Sequence, residues 1–377
     1  MSNKSLRNSV KAAVIKRLIC VVLVSSLFAI KGVAATVDDA IDRPATRSVL
    51  GAHSALLDAD LVGQDIIAVG ERGFILRSND GAHSWQQIKS PVSVTFTGVQ
   101  FFDEQVGYII GHGGTVLRTV NGGQDWELRL NGRMLGGILL RQAKQDQDEE
   151  ALRRAQYLLE DGPDKPFLDL LVMDAEHLVV VGAYGLALES VDGGATWLPW
   201  MSRLPNDFGS HLYSIQKQGD QILIAGERGF VALSHDKGLS FDLIETPYEG
   251  SFFTAQFLAD GEIFLAGLRG NSFLSQDDGE SWVQLSNPIS ANITASTLLA
   301  NGQLVMVNQA GFIMEASSDH LAPLPIPPLP PLTEILEIAG DKLLALSMSG
   351  PFTVDLPAVA RTADSAVYGA VDRGNSK

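Results

Sequence analysis

The sequence predicts an all-β chain folded as a seven-bladed β-propeller, and three observations carry that reading. A pattern of apolar runs and glycines recurs along most of the chain. The recurrences lie about 40 residues apart, the length of a four-stranded blade. A short polar turn ending in an aromatic residue occupies the same place in five of them.

Residues 66–88 read IIAVGERGFILRSNDGAHSWQQI, and 107–129 read GYIIGHGGTVLRTVNGGQDWELR. The next copies are LVVVGAYGLALESVDGGATWLPW at 178–200, ILIAGERGFVALSHDKGLSFDLI at 222–244 and IFLAGLRGNSFLSQDDGESWVQL at 263–285. Degenerate copies cover 304–320 and 343–356. One glycine per copy marks the register: Gly73, Gly114, Gly185, Gly229, Gly270, Gly311 and Gly350. Their spacings of 41, 71, 44, 41, 41 and 39 residues describe seven units with one insertion.

Within a unit, an apolar run such as Ile66–Val69 reads as a strand buried on both faces. Gly70 and Gly73 bracket a tight turn, Phe74–Arg77 returns, and Ser78-Asn79-Asp80-Gly81 turns again before Trp85 opens the outer strand. An upstream segment such as Thr97–Phe102 supplies the innermost strand. Four antiparallel strands, A to D, make one blade.

The second turn follows S/T-x-D/N-x-G-x-x-W/F, with near-copies at Ser78–Trp85, Thr119–Trp126, Ser190–Trp197, Ser234–Phe241 and Ser275–Trp282. Its acceptors are Asp80, Asn121, Asp192, Asp236 and Asp277, whose side-chain oxygens can bond backbone N–H groups further along the turn. Its aromatics are Trp85, Trp126, Trp197, Phe241 and Trp282, expected to plug the gaps between blades. Five equivalent carboxylate or amide positions around a ring point to a structural role, not a catalytic one. These turns are similar to Asp-box (BNR) repeats, and the fuller string G-x-x-G-x-[VIL]-x-x-[ST]-x-[DN]-G-G-x-[TS]-W resembles the Ycf48/Hcf136-like family of photosystem II assembly factors. The resemblance covers about residues 46–357 and is strongest in the first five units. It implies a seven-bladed, non-enzymatic propeller that helps to assemble membrane protein complexes.

The ends and the insertion read differently. Lys4, Arg7, Lys11, Lys16 and Arg17 precede an apolar stretch, Leu18–Ile30, and the small residues at 32–35, the layout of a signal peptide over residues 1–35. An uncleaved anchor is the alternative. Cys20 lies inside the apolar run behind Ile19, which argues against lipidation. The expected location is therefore secreted and periplasmic, or a compartment like the thylakoid lumen. The leader carries six basic and no acidic residues, so the remainder holds 22 Lys+Arg against 44 Asp+Glu, a net charge of −22, and no cysteine. That charge argues against nucleic acid and anionic lipid as partners, and the missing cysteines exclude thiol chemistry.

The propeller is expected over 36–357, with a helical insertion at about 131–166 between blades 2 and 3 and a tail at 358–377. In the insertion Leu152, Ala155 and Leu159 recur at helical spacing, and Glu149 and Glu150 precede Arg153 and Arg154 by four residues. Pro323–Pro331 is expected to be a stiff connector. The seventh unit lacks a clear fourth strand, and Thr46–Leu50 is the candidate to pair with it and latch the ring.

Strand alternation puts the B–C turns on one face. Arg72, Arg228 and Arg269 hold the same position in three of them, and His112 and Tyr184 lie at or beside it in two others. An arginine-bearing face on an acidic protein suits an acidic element of a protein partner, such as a carboxyl terminus. The resemblance agrees, since the photosynthetic family members use an arginine-rich patch for their partners. The plainer alternative is that Glu71 and Glu227 neutralise their neighbouring arginines. The partner is expected to be a membrane or envelope complex, and the protein a monomer.

A sialidase-like glycoside hydrolase is the competing class. Such enzymes need an Arg-Ile-Pro element and a Tyr/Glu nucleophilic pair; the first is absent, and Tyr184 and Tyr213 have no evident Glu partner in sequence. The seven histidines show no metal-ligand spacing, and no phosphate loop or nucleophile elbow is present. No catalytic residue, metal site or cofactor is expected.

Overall fold

The apolar runs fold as expected for strands covered on both sides. Gly107–Gly111, Leu178–Gly182, Ile263–Gly267 and Leu304–Asn308 are buried along their whole length. The computed structural model describes residues 38–258 and 261–357. The expected signal peptide and C-terminal tail lie outside the described residues.

Between Ala40 and Pro357 the described residues form one unit of seven antiparallel sheets. Their innermost strands are Leu56–Val62, Phe96–Phe101, Phe167–Val172, Leu212–Gln218, Phe252–Phe257, Ile293–Leu298 and Leu332–Ala339. Each pairs with the next strand of its own blade, and the innermost strands neighbour one another around the ring. Seven apolar clusters hold the structure together, one at each junction between blades. The turn aromatics enter these clusters as expected. Trp126 joins the blade 1–2 cluster, with its ring 5.8 Å from Phe101 of its own blade, Trp197 joins the blade 2–3 cluster, and Phe241 the blade 3–4 cluster. Trp85 and Trp282 are half-buried at the 7–1 and 4–5 junctions.

The polar half of each turn also forms. Asp236 Oδ1 accepts from Ser234 Oγ at 2.8 Å and from Ser240 N–H at 2.9 Å, while Oδ2 accepts from Ser240 Oγ at 2.7 Å. Asp80, Asp192 and Asp277 repeat this set, and Asn121 accepts from Thr119 Oγ1 and Asp125 N–H. These bonds favour the ionised carboxylate. Asp80 and Asp236 are held down to about 2, chiefly by the hydroxyls of Ser84 and Ser240.

All seven innermost strands carry a bulge at their second residue, beside the B–C turn. A bulge re-aims a side chain. Where the bulged residue is threonine, its hydroxyl crosses to the next blade: Thr97 to the Phe167 carbonyl (2.7 Å), Thr294 to Leu332 (3.0 Å) and Thr333 to Leu56 (2.6 Å).

The proposed latch needs correction. The seventh sheet has three strands among the described residues, ending at Gly350–Asp355. Thr46–Leu50 runs instead beside the outer strand of blade 1, because the Gln87 amide serves both its polar groups. Ser48 N–H donates to Gln87 Oε1 (2.9 Å), and Gln87 Nε2 donates to the Thr46 carbonyl (3.1 Å). The ring closes through side chains. Leu56, Ile66, Ala68 and Leu76 of blade 1 pack on Leu344 and Leu346 of blade 7. The turn Gly51–His53 sits over Gly350, where a Cβ would overlap the Ala52 carbonyl.

The insertion is a helical hairpin of two helices, α1 (Gly132–Asp146) and α2 (Glu149–Asp161). Asn131 caps the first by accepting from Arg133 and Met134 N–H, and Asp148 caps the second by accepting from Glu150 and Ala151 N–H. Both expected i,i+4 pairs form, Arg153 with Glu149 and Arg154 with Glu150. Gly136 lets the helices approach closely, since a Cβ there would strike Leu159. The proline-rich connector packs inward, with Leu324 buried and Ile326 and Leu329 against the blade 6–7 cluster.

Candidate binding face

The innermost strand starts, and the outer strand ends, at the level of the B–C turn: Leu56 pairs with Gly70, and Ile75 with Ile88. The B–C turns and the connections between blades therefore share one face, and the Asp-box-like turns lie on the other. Each B–C turn is anchored by backbone bonds, such as Glu71 N–H to the Ala55 carbonyl (3.0 Å) and Phe74 N–H to the Glu71 carbonyl (3.0 Å).

At the tip of this turn the chain adopts left-handed backbone. Arg72 (φ 57°), Tyr184 (φ 59°), Arg228 (φ 57°) and Arg269 (φ 59°) all occupy it. A non-glycine residue there costs on the order of 1–2 kcal/mol. Four equivalent turns bear that strain with a large side chain projecting from the face. In blade 2 Gly113 holds the position (φ 65°), which leaves His112 exposed one residue earlier.

The three arginines share the face but do not form one cluster. Blades 4 and 5 are neighbours, so Arg228 and Arg269 lie on adjacent turns, while Arg72 belongs to blade 1, three blades away. Their surroundings differ too. Arg72 Nε lies 3.7 Å from Glu71 Oε2, an exposed pair of little energetic weight. Glu71 and Glu227 make the same turn bond, accepting Ala55 N–H and His211 N–H, each at 3.3 Å, but Arg228 forms no ion pair with Glu227. Among the described residues neither Arg228 nor Arg269 has an acidic side-chain partner.

A row of aromatic rings beside these arginines was not legible from the sequence. Tyr184 meets His211 edge-on at 5.0 Å, His211 meets Tyr213 at 6.2 Å, and Tyr213 meets Phe253 at 5.2 Å. Tyr213 and Phe253 are the bulged residues of blades 4 and 5, at the ends of their strands beside the B–C turns. His211 Nδ1 accepts the Tyr184 N–H at 3.0 Å, which fixes its proton on Nε2. Burial and the nearby Glu227 raise the Tyr213 hydroxyl above its usual range. The signal available in sequence was an aromatic directly after the first apolar residue of the innermost strand, and it means little until the bulge is known.

Inside the ring, Asp58, Asp169 and Glu334 hold the same strand position in blades 1, 3 and 7. Asp58 Oδ2 accepts Val99 N–H, and Asp169 Oδ2 accepts Ile215 N–H, each at 2.7 Å and each from the next blade. Asp60 does the same for Phe101 N–H at 2.7 Å. These are inner-edge amides with no strand partner, so the side chains satisfy them. Burial raises Asp169 to about 7 and Glu334 to about 8, with Asp169 adding repulsion at Glu334. Burial, then Glu334, push Asp58 well above the usual carboxylate range.

Sequence reasoning also missed Trp200, which is fully buried at the blade 3–4 junction with its ring 5.5 Å from Phe241. Blade 4 carries phenylalanine where the other turns carry tryptophan, and Trp200 fills the remaining volume. Among the described residues no group of His, Asp or Glu side chains is arranged to hold a metal, and no helix is long and apolar enough to cross a membrane.

A closed ring of seven antiparallel blades, with aromatics at the junctions between them, defines a seven-bladed β-propeller. The chain belongs to the family described as photosynthesis system II assembly factor YCF48, which matches residues 47–152 and 159–248. Two similar solved structures are of that kind. One, described as YCF48 bound to D1 peptide, is 15% identical with a TM-score of 0.61, over 84% of this chain and 99% of the other. The other, YCF48 from Cyanidioschyzon merolae, is 14% identical with a TM-score of 0.61, over 81% and 97%. The fold is shared more widely: a GH74 xyloglucanase from Xanthomonas campestris is 14% identical with a TM-score of 0.58, over 81% of this chain and 53% of the enzyme. No curated protein matches the chain.

Proposed function

We propose that this protein is a non-enzymatic assembly scaffold, exported to the periplasm, whose B–C face captures an acidic element of a membrane or envelope protein complex. The observation that carries the reading is the pair Arg228 and Arg269: adjacent, exposed, held on strained turn tips and lacking an acidic partner within the described chain. A guanidinium binds a carboxylate through two parallel hydrogen bonds, so two such groups suit a carboxyl terminus or a short acidic loop. The Tyr184–His211–Tyr213–Phe253 row offers apolar surface beside them for the side chains that precede the carboxylate. Family membership supports the same reading, as does the relative solved with a bound peptide.

The shared fold with a xyloglucanase keeps a glycosidase in view, but the inner carboxylates argue against it. Asp58, Asp60 and Asp169 each accept backbone N–H groups across a blade junction, which is a structural commitment.

The test is capture of the native partner from envelope membranes by the exported protein. Arg228→Ala with Arg269→Ala should abolish it, Arg72→Ala should weaken it less, and the melting temperature should not change. Undiminished capture by the double variant would refute the reading.

A further inference from the structure

The helical hairpin does not lie flat on the ring. Between α1, α2 and the blade 3–4 connection runs an open groove of about 810 Å³, large enough for several side chains. Its floor is apolar: Leu139 and Ala155 come from the helices, and Leu186 and Leu204 from the propeller. At its rim stand Phe208, 90% exposed, and Tyr157, 69% exposed. Phe208 is not on a loose loop. The Asn206 side chain spans its turn, accepting Ser210 N–H at 2.9 Å and donating to the Ser210 carbonyl at 3.0 Å. A rigid turn that holds a phenylalanine in water beside an apolar trough is the arrangement expected of a recognition surface.

The charge around the groove is mainly negative. Five acidic residues line it (Asp146, Asp148, Glu160, Asp161 and Asp207) against two basic ones, Arg154 and Lys165. Both bases are already paired, Arg154 with Glu150 and Lys165 with Asp161 at 2.7 Å. Lys165 is also buried, with its ammonium 5.4 Å from the centre of the Tyr184 ring. Glu160 and Asp207 are exposed and have no partner among the described residues.

We propose that this groove docks a basic amphipathic segment of a partner protein, whose apolar face enters the trough while its lysines or arginines meet the acidic rim. The site is distinct from the arginine-bearing turns and opposite to them in charge. It would let one propeller hold an acidic and a basic element of its client at the same time, with Tyr184 between the two.

Fluorescence anisotropy tests this with a labelled, acetylated Leu/Lys peptide of about 14 residues, roughly four helical turns, with leucines at i, i+3, i+4 and i+7. A counterpart with glutamate in place of lysine is the control. Salt of about 0.15 M screens charge attraction beyond about 8 Å. The lysine peptide should bind and the glutamate peptide should not. Phe208→Ser with Tyr157→Ser, both exposed positions, should weaken binding at least about tenfold, or 1.4 kcal/mol, with an unchanged melting curve. Glu160→Lys with Asp207→Lys should weaken it similarly. Arg228→Ala with Arg269→Ala should leave it unchanged, which separates this site from the acidic-element site. Failure of the lysine peptide to bind, equal binding of both peptides, or binding indifferent to the groove variants would each overturn the proposal. So would a concentration-dependent dimer abolished by Phe208→Ser, which would assign the groove to a second copy of the chain.

Discussion

Asp169 ties the stability of the ring to pH with a sign opposite to that of most carboxylates. Its folded-state pKa lies near 7, against an ordinary 3.8, because burial outweighs the hydrogen bonds from Ile215, Leu170 and Ser214. Between those values the folded protein holds a proton that the unfolded chain releases. The contribution of Asp169 to stability is therefore greatest below pH 4, falls as pH rises toward 7, and is level above. Three pKa units at about 1.4 kcal/mol each correspond to about 4 kcal/mol over the whole window. The part between pH 5 and pH 8 is about 3 kcal/mol. For a propeller of about 320 residues, the usual entropy per residue converts this to roughly 4 °C. In an Asp169→Asn variant the side chain cannot ionise, yet its carbonyl can still accept Ile215 N–H. Melting curves of the native protein and this variant from pH 5 to pH 8 should therefore diverge, the variant gaining about 4 °C on the native protein across that range. Glu334 and Asp58 act in the same direction, and Asp60 is the other carboxylate facing them. Parallel curves would refute the reasoning, because they would mean that the axial carboxylate is hydrated and ionised in the folded ring.

Two further outcomes follow from the packing and the turns. Trp200→Ala should cost about 3–5 kcal/mol, as for a fully buried aromatic, in denaturant unfolding followed by circular dichroism; a loss below about 1 kcal/mol would mean that the blade 3–4 junction repacks. Asp80 and Asp236, held near 2, stabilise the fold above pH 4 and lose that contribution as pH falls from about 4 to 2, so Asp80→Asn with Asp236→Asn should flatten the acid limb of the stability curve; an acid limb identical to the native one would show that the turn bonds do not hold the charge.

The repeat was legible because its cause is local. A strand buried on both faces needs a continuous apolar run, a tight turn needs glycine, and the polar turn needs its acceptor and hydroxyls at fixed offsets. Five of the seven blades could thus be read letter by letter. The ion pairs on α2 were legible for the same reason. The latch was misread because ring closure rests on contacts between residues almost 300 positions apart, such as Thr333 with Leu56 (2.6 Å). Pattern within one repeat carries no information about which segment fills that junction.

By itself, then, the sequence determined the number of blades, the order of strands, the place of the insertion and the presence of arginine at equivalent turns. Each depends on residues a few positions apart. Only the tertiary structure decided that Arg228 and Arg269 are neighbours while Arg72 is remote, that Arg228 forms no ion pair with Glu227, and that Tyr213 and Phe253 fall into one row. It also decided that three carboxylates, Asp58, Asp169 and Glu334, come together at one level of the ring. Distances across a closed ring, and the solvent left between its blades, are set by how all seven blades pack together, and no single stretch of chain encodes them.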